Sequence, residues 1–123
     1  MVKIENPGEK LVNAIVAGMK EKKAVQISIL NLEKLEQAVC DYFVICNAES
    51  TTQVSAIADS VGHFTLTEAK EKPFHIEGSD NATWILLDYG NVIVHVFQNE
   101  FREFYNIEEF WADAVRTDID EIS

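Results

Sequence analysis

The feature that most restricts the fold of this chain is the stretch WILLDYGNVIVHVF, residues 84–97, in which two apolar runs are joined by Gly90-Asn91. A Gly-Asn pair between two such runs is typical of a two-residue β-hairpin loop. The stretch therefore predicts two antiparallel strands, over residues 83–89 and 92–97.

Alternation along these strands divides the hairpin into two different faces. Successive side chains of a strand point to opposite sides of a sheet, and positions paired across a two-residue loop share a side. With Tyr89 opposite Val92, the face that we call the aliphatic face carries Ile85, Leu87, Tyr89, Val92, Val94 and Val96. The opposite face, called the mixed face, carries Trp84, Leu86, Asp88, Ile93, His95 and Phe97. The aliphatic face is predicted to form core beneath the helices.

The mixed face admits two interpretations. Aromatic and aliphatic side chains beside a carboxylate are typical of a partly exposed binding surface, where aromatic residues anchor a partner and a polar group fixes its register. Alternatively, the face is a second layer of core, in which Asp88 caps the turn and His95 is hydrogen-bonded to a backbone carbonyl. The pattern alone leaves both interpretations open.

Helix and strand signals alternate along the first part of the chain. Asn6-Pro7 is a typical helix start, and the apolar residues after it recur at helical spacing. Residues 25–29 alternate as a half-buried strand, whereas residues 41–46, DYFVIC, form a denser apolar run that suits a central strand. Ser50 and Gln53 have the form of a capping box, which predicts a helix that ends at about residue 71.

The elements near the C-terminus follow the same kinds of signal. Residues 73–78 indicate a short strand, and residues 79–81 have turn chemistry. Asn106 and Glu109 repeat the capping-box pattern. They predict a final helix whose inward side chains are Phe110, Trp111, Ala114 and Val115.

The order of these elements predicts the fold class. It is helix, strand, strand, helix, three strands and helix, which favours an α/β fold with a five-stranded mixed sheet flanked by helices. The hairpin is expected to be antiparallel, and the earlier strands to be linked by crossovers. We expect one domain over residues 1–123, with its core over residues 8–115 and an acidic, frayed tail over residues 116–123.

The charge of the chain narrows the classes of partner. There are 10 basic and 21 acidic residues, a formal net charge of −11. Nucleic-acid binding depends on basic side chains that neutralise phosphates, so direct binding of RNA or DNA is disfavoured. An acidic surface instead speeds association with a basic protein, although the same charge also suits a plain soluble surface.

Two further features of the composition concern location and redox state. No apolar run reaches the roughly 18 residues of a membrane helix, and the N-terminal residues lack the pattern of a signal peptide. We therefore expect a cytoplasmic protein. Cys40 and Cys46 are too few and wrongly spaced for a zinc site or a redox pair, and are predicted to be reduced, packed thiols.

The motifs that usually carry catalysis are missing from the sequence. There is no nucleophile elbow and no glycine-rich phosphate loop, and His63, His75 and His95 lie in three different predicted elements. In nucleotidyl transfer, paired carboxylates in a D-x-D arrangement hold two magnesium ions. The corresponding place here is Asp41-Tyr42-Phe43, where the second acid is absent. We expect no enzymatic activity, no cofactor and no metal.

Two motifs, in this order, resemble a known family. They are D-Y-F-V-I-C at residues 41–46 and W-x-L-L-D-Y-G-x-V-x-V-H-V-F at residues 84–97. Further matching residues are Ser50, Ala56-Ile57-Ala58-Asp59, Glu77-Gly78, Arg102, Phe104-Tyr105 and Trp111. Together they resemble the ribosomal silencing factor family, also called RsfS, YbeB or Iojap, over residues 8–115.

The resemblance implies a fold related to the nucleotidyltransferases but without their catalysis. It also implies that the chain binds the large ribosomal subunit through its basic protein number fourteen (uL14), prevents the small subunit from joining, and lowers translation when nutrients are short. The family's partner-binding residues carry over to Trp84, Leu86, Asp88 and Tyr89. The first three lie on the mixed face, whereas Tyr89 lies on the aliphatic face.

Other functions are also compatible with the sequence. A factor that assembles the large subunit would use the same binding face, and the fold also allows a cryptic nucleotidyltransferase or nucleotide binder. An exposed apolar face would in addition allow a homodimer, which the pattern does not fix.

Overall fold

Four helices and six strands alternate along residues 7–119, the part of the chain that this computed structural model describes. The helices are α1 (Pro7–Glu21), α2 (Thr51–Ala69), α3 (Asn99–Tyr105) and α4 (Ile107–Phe110). The strands are β1 (Val25–Asn31), β2 (Tyr42–Ala48), β3 (His75–Glu77), β4 (Trp84–Asp88), β5 (Val92–Gln98) and β6 (Val115–Asp118). Between residues 7 and 119, no helix has the length and apolar character needed to cross a membrane.

The six strands form one mixed sheet in the order β3-β4-β5-β2-β1-β6. β2 and β5 run parallel at its centre, and the other neighbouring pairs are antiparallel. The mixed α/β class is therefore confirmed, but the prediction of five strands is wrong, because β6 pairs beside β1. β1 and β2 are also antiparallel neighbours, so residues 32–41 reverse the chain where we expected a crossover.

α1 and α2 pack against each other and against one side of the sheet. Their backbones approach so closely that a Cβ atom at Gly18 would lie 2.8 Å from the Cα of Val61. The Ser60 hydroxyl donates a hydrogen bond to the Gly18 carbonyl at 2.7 Å. This tight helix pair is the cover under which the aliphatic face of the hairpin is buried.

The predicted starts of the two long helices have different outcomes. Ser50 Oγ accepts a hydrogen bond from the backbone N–H of Gln53 at 3.1 Å, which confirms the predicted cap of α2. The Gln53 amide does not complete the box but donates to the carbonyl of Lys22 at 3.2 Å. α1 begins at Pro7 as predicted, while its predicted cap Asn6 lies outside the described residues.

β1 departs from the alternation that the sequence predicts. Its register against β2 shifts between Val25 and Ser28, and Gln26 has a left-handed φ of 53°. A bulge of this kind changes the side to which the following side chains point. Val25, predicted on the same side as Ile27 and Ile29, consequently pairs with Asn47 and is 37% exposed. Ser28 keeps its predicted side, opposite Ile27 and Ile29, but is only 2% exposed because Arg102 covers it. The carbonyl of Gln26 accepts a hydrogen bond from Arg102. The sequence around Gln26 does not predict this contact, because Arg102 is distant along the chain.

The chain after β5 differs most from its prediction. A helix begins after Asn106 as predicted, but α4 covers only residues 107–110, and α3 precedes it while strand β6 follows it. Asn106 has a left-handed φ of 44°, at which α3 ends. Phe110 and Val115, predicted to face inward, are 80% and 67% exposed. The predicted frayed tail begins as strand β6, and residues 120–123 lie outside the described part of the chain.

Candidate functional site

The hairpin of β4 and β5 has the register that its sequence predicts. Trp84 pairs with Phe97, Leu86 with His95, and Asp88 with Ile93. The backbone N–H of Tyr89 donates to the carbonyl of Val92 at 2.9 Å, which closes the two-residue loop. The division into an aliphatic and a mixed face is therefore confirmed.

The aliphatic face is buried along its whole length. Its six residues are each at most 2% exposed and belong to the core between the sheet and the helices α1 and α2. Tyr89 is among them, and its hydroxyl lies 2.8 Å from the hydroxyl of Thr65 on α2. Burial raises the pKa of this phenol. The structure thus places Tyr89 behind the sheet, away from Trp84, Leu86 and Asp88.

The mixed face is divided between a second core and an accessible surface. Phe97 and His95 are 0% and 4% exposed. They lie near Phe43, and α3, α4 and residues 32–40 contribute to the apolar cluster on this side of the sheet. The half-buried remainder of the face, which we call the β4 surface, consists of Trp84, Leu86, Asp88 and Ile93. The second-core interpretation therefore holds for His95 and Phe97, but its bond from His95 to a backbone carbonyl is wrong, because Nδ1 accepts from Trp84 and Nε2 has no partner among the described residues. Partner binding by the β4 surface stays a prediction.

Within the β4 surface, Trp84 is fixed by two aromatic rings and one hydrogen bond. Its indole stacks on Phe97 with ring centroids 4.9 Å apart, and Tyr105 of α3 lies 4.8 Å away on the same measure. The indole N–H donates a hydrogen bond to Nδ1 of His95 at 3.1 Å. Trp84 is consequently a half-buried aromatic group held in place by Phe97, Tyr105 and His95, which limits the side-chain entropy it loses when a partner covers it.

Asp88 stands at the end of the β4 surface, next to the hairpin turn. Its Oδ1 accepts a hydrogen bond from the backbone N–H of Gly90 at 2.8 Å, so it caps the turn as the second interpretation expected. Across the sheet edge, His75 pairs with Asp88 and Glu77 with Leu86, which places two more polar side chains on the same side. His75 and Glu77 approach each other to 3.1 Å.

A buried polar network next to α3 was missed by the sequence reasoning, which had placed Arg102 only within a family motif. Arg102 is 8% exposed and donates to Asn47 at 2.8 Å, to Ser28 at 3.1 Å and to Glu108 at 2.9 Å. These bonds join β1, β2, α3 and α4. The network borders a cavity of about 570 Å³. Since protein acceptors already occupy the guanidinium nitrogens, the network holds the fold together and offers no free cation to a ligand.

The two cysteines are free and buried, in agreement with the prediction of packed thiols. Burial raises the pKa of Cys46 to about 12 and that of Cys40 to about 11. Within residues 7–119, no group of three or more His, Cys, Asp or Glu side chains is placed to hold a metal ion. His63, His75 and His95 lie in α2, β3 and β5, respectively.

A known protein family matches nearly the whole sequence. The model of the family described as "Ribosomal silencing factor during starvation" matches residues 5–123. The chain belongs to the ribosomal silencing factor family. The resemblance inferred from the motifs in β2 and the hairpin is thereby confirmed.

Individual relatives agree with this assignment. Ribosomal silencing factor RsfS of Bacillus subtilis is 36% identical over 115 residues, which cover 91% of this chain and 93% of that protein. The Mus musculus protein named mitochondrial assembly of ribosomal large subunit protein 1 is 28% identical over 103 residues, or 82% of this chain and 45% of the mouse protein.

Solved structures share the fold of this member of the ribosomal silencing factor family. A crystal structure of a Chromobacterium violaceum protein has a TM-score of 0.79 and 29% identity, and the alignment covers 85% of each chain. One from Bacillus halodurans has a TM-score of 0.74 and 32% identity over 91% of this chain and 98% of that chain.

Proposed function

We propose that this chain docks through its β4 surface on the basic protein number fourteen (uL14) of the large ribosomal subunit. By occupying the surface where the small subunit joins, it represses translation under nutrient limitation. The observation that carries the proposal is the alignment of Trp84, Leu86 and Asp88 on one accessible side of β4, in a chain of the ribosomal silencing factor family.

The chemistry of the β4 surface suits a basic protein partner. A fixed aromatic ring such as that of Trp84 is the kind of group that carries much of the energy of a protein interface, and the Asp88 carboxylate beside it complements a basic surface. The net charge of −11 adds long-range attraction toward a basic surface. Binding is therefore expected to weaken as the salt concentration rises.

Tyr89 remains in the predicted partner-binding set, with a different role. Its side chain is 2% exposed and contacts Thr65, so in this conformation it supports β4 from behind. The proposal accordingly assigns direct contact to Trp84, Leu86 and Asp88 and indirect support to Tyr89.

The test is a titration of purified large subunits, scored by co-sedimentation and by the yield of joined ribosomes when small subunits are added. Leu86→Ala is expected to weaken binding roughly tenfold, since Leu86 lies between Trp84 and Asp88 and the costly truncations, of about 1.4 kcal/mol or more, are those near the centre of an interface. Leu66→Ala is the matched control, because Leu66 is 44% exposed on α2, on the other side of the sheet. Equal binding by the two variants would refute the proposed surface.

The charge of Asp88 can be tested without disturbing the turn. Asp88→Asn keeps the oxygen that accepts from the Gly90 N–H and removes only the negative charge. We expect weaker binding and a shallower dependence on salt, whereas Asp59→Asn on the opposite layer should bind as the parent does. An Asp88→Asn variant with the parent's affinity and salt dependence would remove the proposed charge contact.

A second candidate function is assembly of the large subunit, which the name of the mouse relative favours. It would use the same β4 surface. Depletion of the protein distinguishes the two, because an assembly factor leaves precursor particles to accumulate during growth, while a silencing factor changes translation only under starvation.

We also propose that the function is not enzymatic, on a fold related to the nucleotidyltransferases. At the place of the second D-x-D acid, Phe43 is buried and its ring contacts His95 and Trp111. Incubation with magnesium and labelled nucleotides should give no transfer product, and incorporation of label would overturn this part of the proposal. A cytoplasmic location belongs to the same proposal. The homodimer stays a prediction, and analytical ultracentrifugation would test it.

A further inference from the structure

His95 lies directly beneath the β4 surface, among aromatic side chains. It is 4% exposed, and its ring centroid lies 4.6 Å from that of Phe43 and 6.1 Å from that of Phe97. It pairs with Leu86, so Trp84 is its diagonal neighbour on the same side of the sheet. The hydrogen bond from the Trp84 indole to His95 Nδ1 spans this diagonal.

The protonation state of His95 follows from this bond. Because Nδ1 accepts the hydrogen bond of the indole N–H, the neutral imidazole carries its own hydrogen on Nε2. Burial lowers the pKa of His95 to about 3, so the ring is neutral at physiological pH. Nε2 is buried and finds no hydrogen-bond partner among residues 7–119. The unpartnered Nε2 lowers the stability of the folded protein. The other ring nitrogen, Nδ1, makes a hydrogen bond to Trp84 that an apolar side chain at this position could not make.

The bond adds information about orientation that stacking does not supply. Contacts with Phe97 and Tyr105 define the plane of the Trp84 ring. The second side-chain torsion of tryptophan is broad and roughly two-fold, so an indole in that plane could still turn over. A fixed acceptor at His95 Nδ1 selects the orientation whose N–H edge points into the protein. The exposed part of the ring then offers carbon atoms to a partner.

We propose that His95 is a positioning residue that holds Trp84 in the orientation in which it docks on its partner. This inference rests on the proposed function of the β4 surface and adds that its tryptophan makes an apolar contact. His95 itself does not touch the partner.

The test compares four variants in the large-subunit titration: Trp84→Ala, His95→Leu, His95→Asn and His95→Gln. His95→Leu removes the acceptor, and we expect binding about tenfold weaker, since the indole must be ordered when it docks. Asparagine carries its amide oxygen at the same number of bonds from Cα as Nδ1, so His95→Asn should restore most of the affinity. His95→Gln, which places its amide one bond farther, should not.

A spectroscopic measurement follows the indole directly. In nitrogen-15 correlation spectra, the Trp84 indole N–H should exchange slowly with water in the parent and in His95→Asn, and quickly in His95→Leu. The indole signal of Trp111 provides the reference within the same protein.

The outcomes separate this inference from the proposed function. If Trp84→Ala binds as the parent does, the β4 surface itself is not the docking site. If Trp84→Ala abolishes binding while a folded His95→Leu retains the parent's affinity, only the positioning role is overturned. If His95→Leu does not fold, the Asn and Gln variants decide, and equal affinity of these two would contradict the role.

Discussion

The two faces of one hairpin have different fates in this protein, although they alternate along the same residues. The aliphatic face is covered throughout by α1 and α2 and forms core. The mixed face is covered only where α3, α4 and residues 32–40 reach it, and its remainder stays accessible as the β4 surface. The difference shows that alternation defines which side chains act together, while the neighbouring elements define which of them meet solvent.

The largest expected effect comes from two adjacent leucines on opposite faces. Leu87 is 1% exposed in the helix-side core, whereas Leu86 is half-buried on the β4 surface. Leu87→Ala should lower the free energy of unfolding by about 2–5 kcal/mol through the lost contacts and the cavity. Leu86→Ala should lower it by less than about 1 kcal/mol.

Urea unfolding followed by far-ultraviolet circular dichroism measures both values on the same scale. Binding to large subunits should show the opposite order, with Leu86→Ala weaker than a folded Leu87→Ala. Similar losses of stability in the two variants would mean that the faces do not differ in coverage as described.

The next effect concerns pH and the buried half of the mixed face. His95 stays neutral in the folded protein down to a pKa of about 3, while in the unfolded chain it takes up a proton near its ordinary value of 6.5. The unfolded state thus binds more protons between these two values, so stability falls as the pH is lowered through this window. The loss from this residue should reach roughly 2 kcal/mol at about pH 5.

The measurement is the free energy of unfolding of the parent and of His95→Asn at neutral pH and at about pH 5. The variant has no group at this position that titrates in the window, so its stability should fall less. Parallel pH dependences would show that the imidazole is not held neutral between the sheet and α3.

Removal of the Tyr89 hydroxyl tests whether the aliphatic face is separate from the partner-binding surface. Tyr89→Phe removes the hydroxyl that lies 2.8 Å from Thr65 Oγ1 and keeps the ring in the core. The expected loss of stability is about 1 kcal/mol, the usual contribution of one hydrogen bond. Binding to large subunits should be unchanged, and a marked loss of affinity in a stable variant would mean that Tyr89 reaches the partner.

The smallest expected difference is in the rate of alkylation of the two thiols, which lie in the two layers of core on opposite sides of the sheet. Cys46 is 0% exposed in the helix-side core and Cys40 is 8% exposed in the other. Both thiols have a raised pKa, so brief alkylation at about pH 8 should modify neither appreciably in the native protein, and Cys40 should react before Cys46. Peptide mass spectrometry after timed labelling shows the order, and faster labelling of Cys46 would reverse the comparison.

The sequence predicted the parts of the fold that depend on neighbouring residues. The register of the hairpin follows from Gly90-Asn91 and alternation, and the start of α2 follows from the hydroxyl of Ser50. It did not predict that Asn106 ends α3 in a left-handed conformation or that residues 115–118 pair with β1. These features depend on the Arg102 network and on a free strand edge, which are formed by residues distant along the chain.

The candidate site shows the same limit. Trp84, Leu86 and Asp88 could be grouped from the sequence, because side-chain direction in a strand is set by the backbone of that strand. The sequence by itself therefore determined the two faces, their membership and the family of the chain. It also placed Tyr89 on the face predicted to be core. Only the tertiary structure decided that His95 and Phe97 lie inside while Trp84, Leu86 and Asp88 remain accessible, because coverage depends on where α3, α4 and residues 32–40 pack in space.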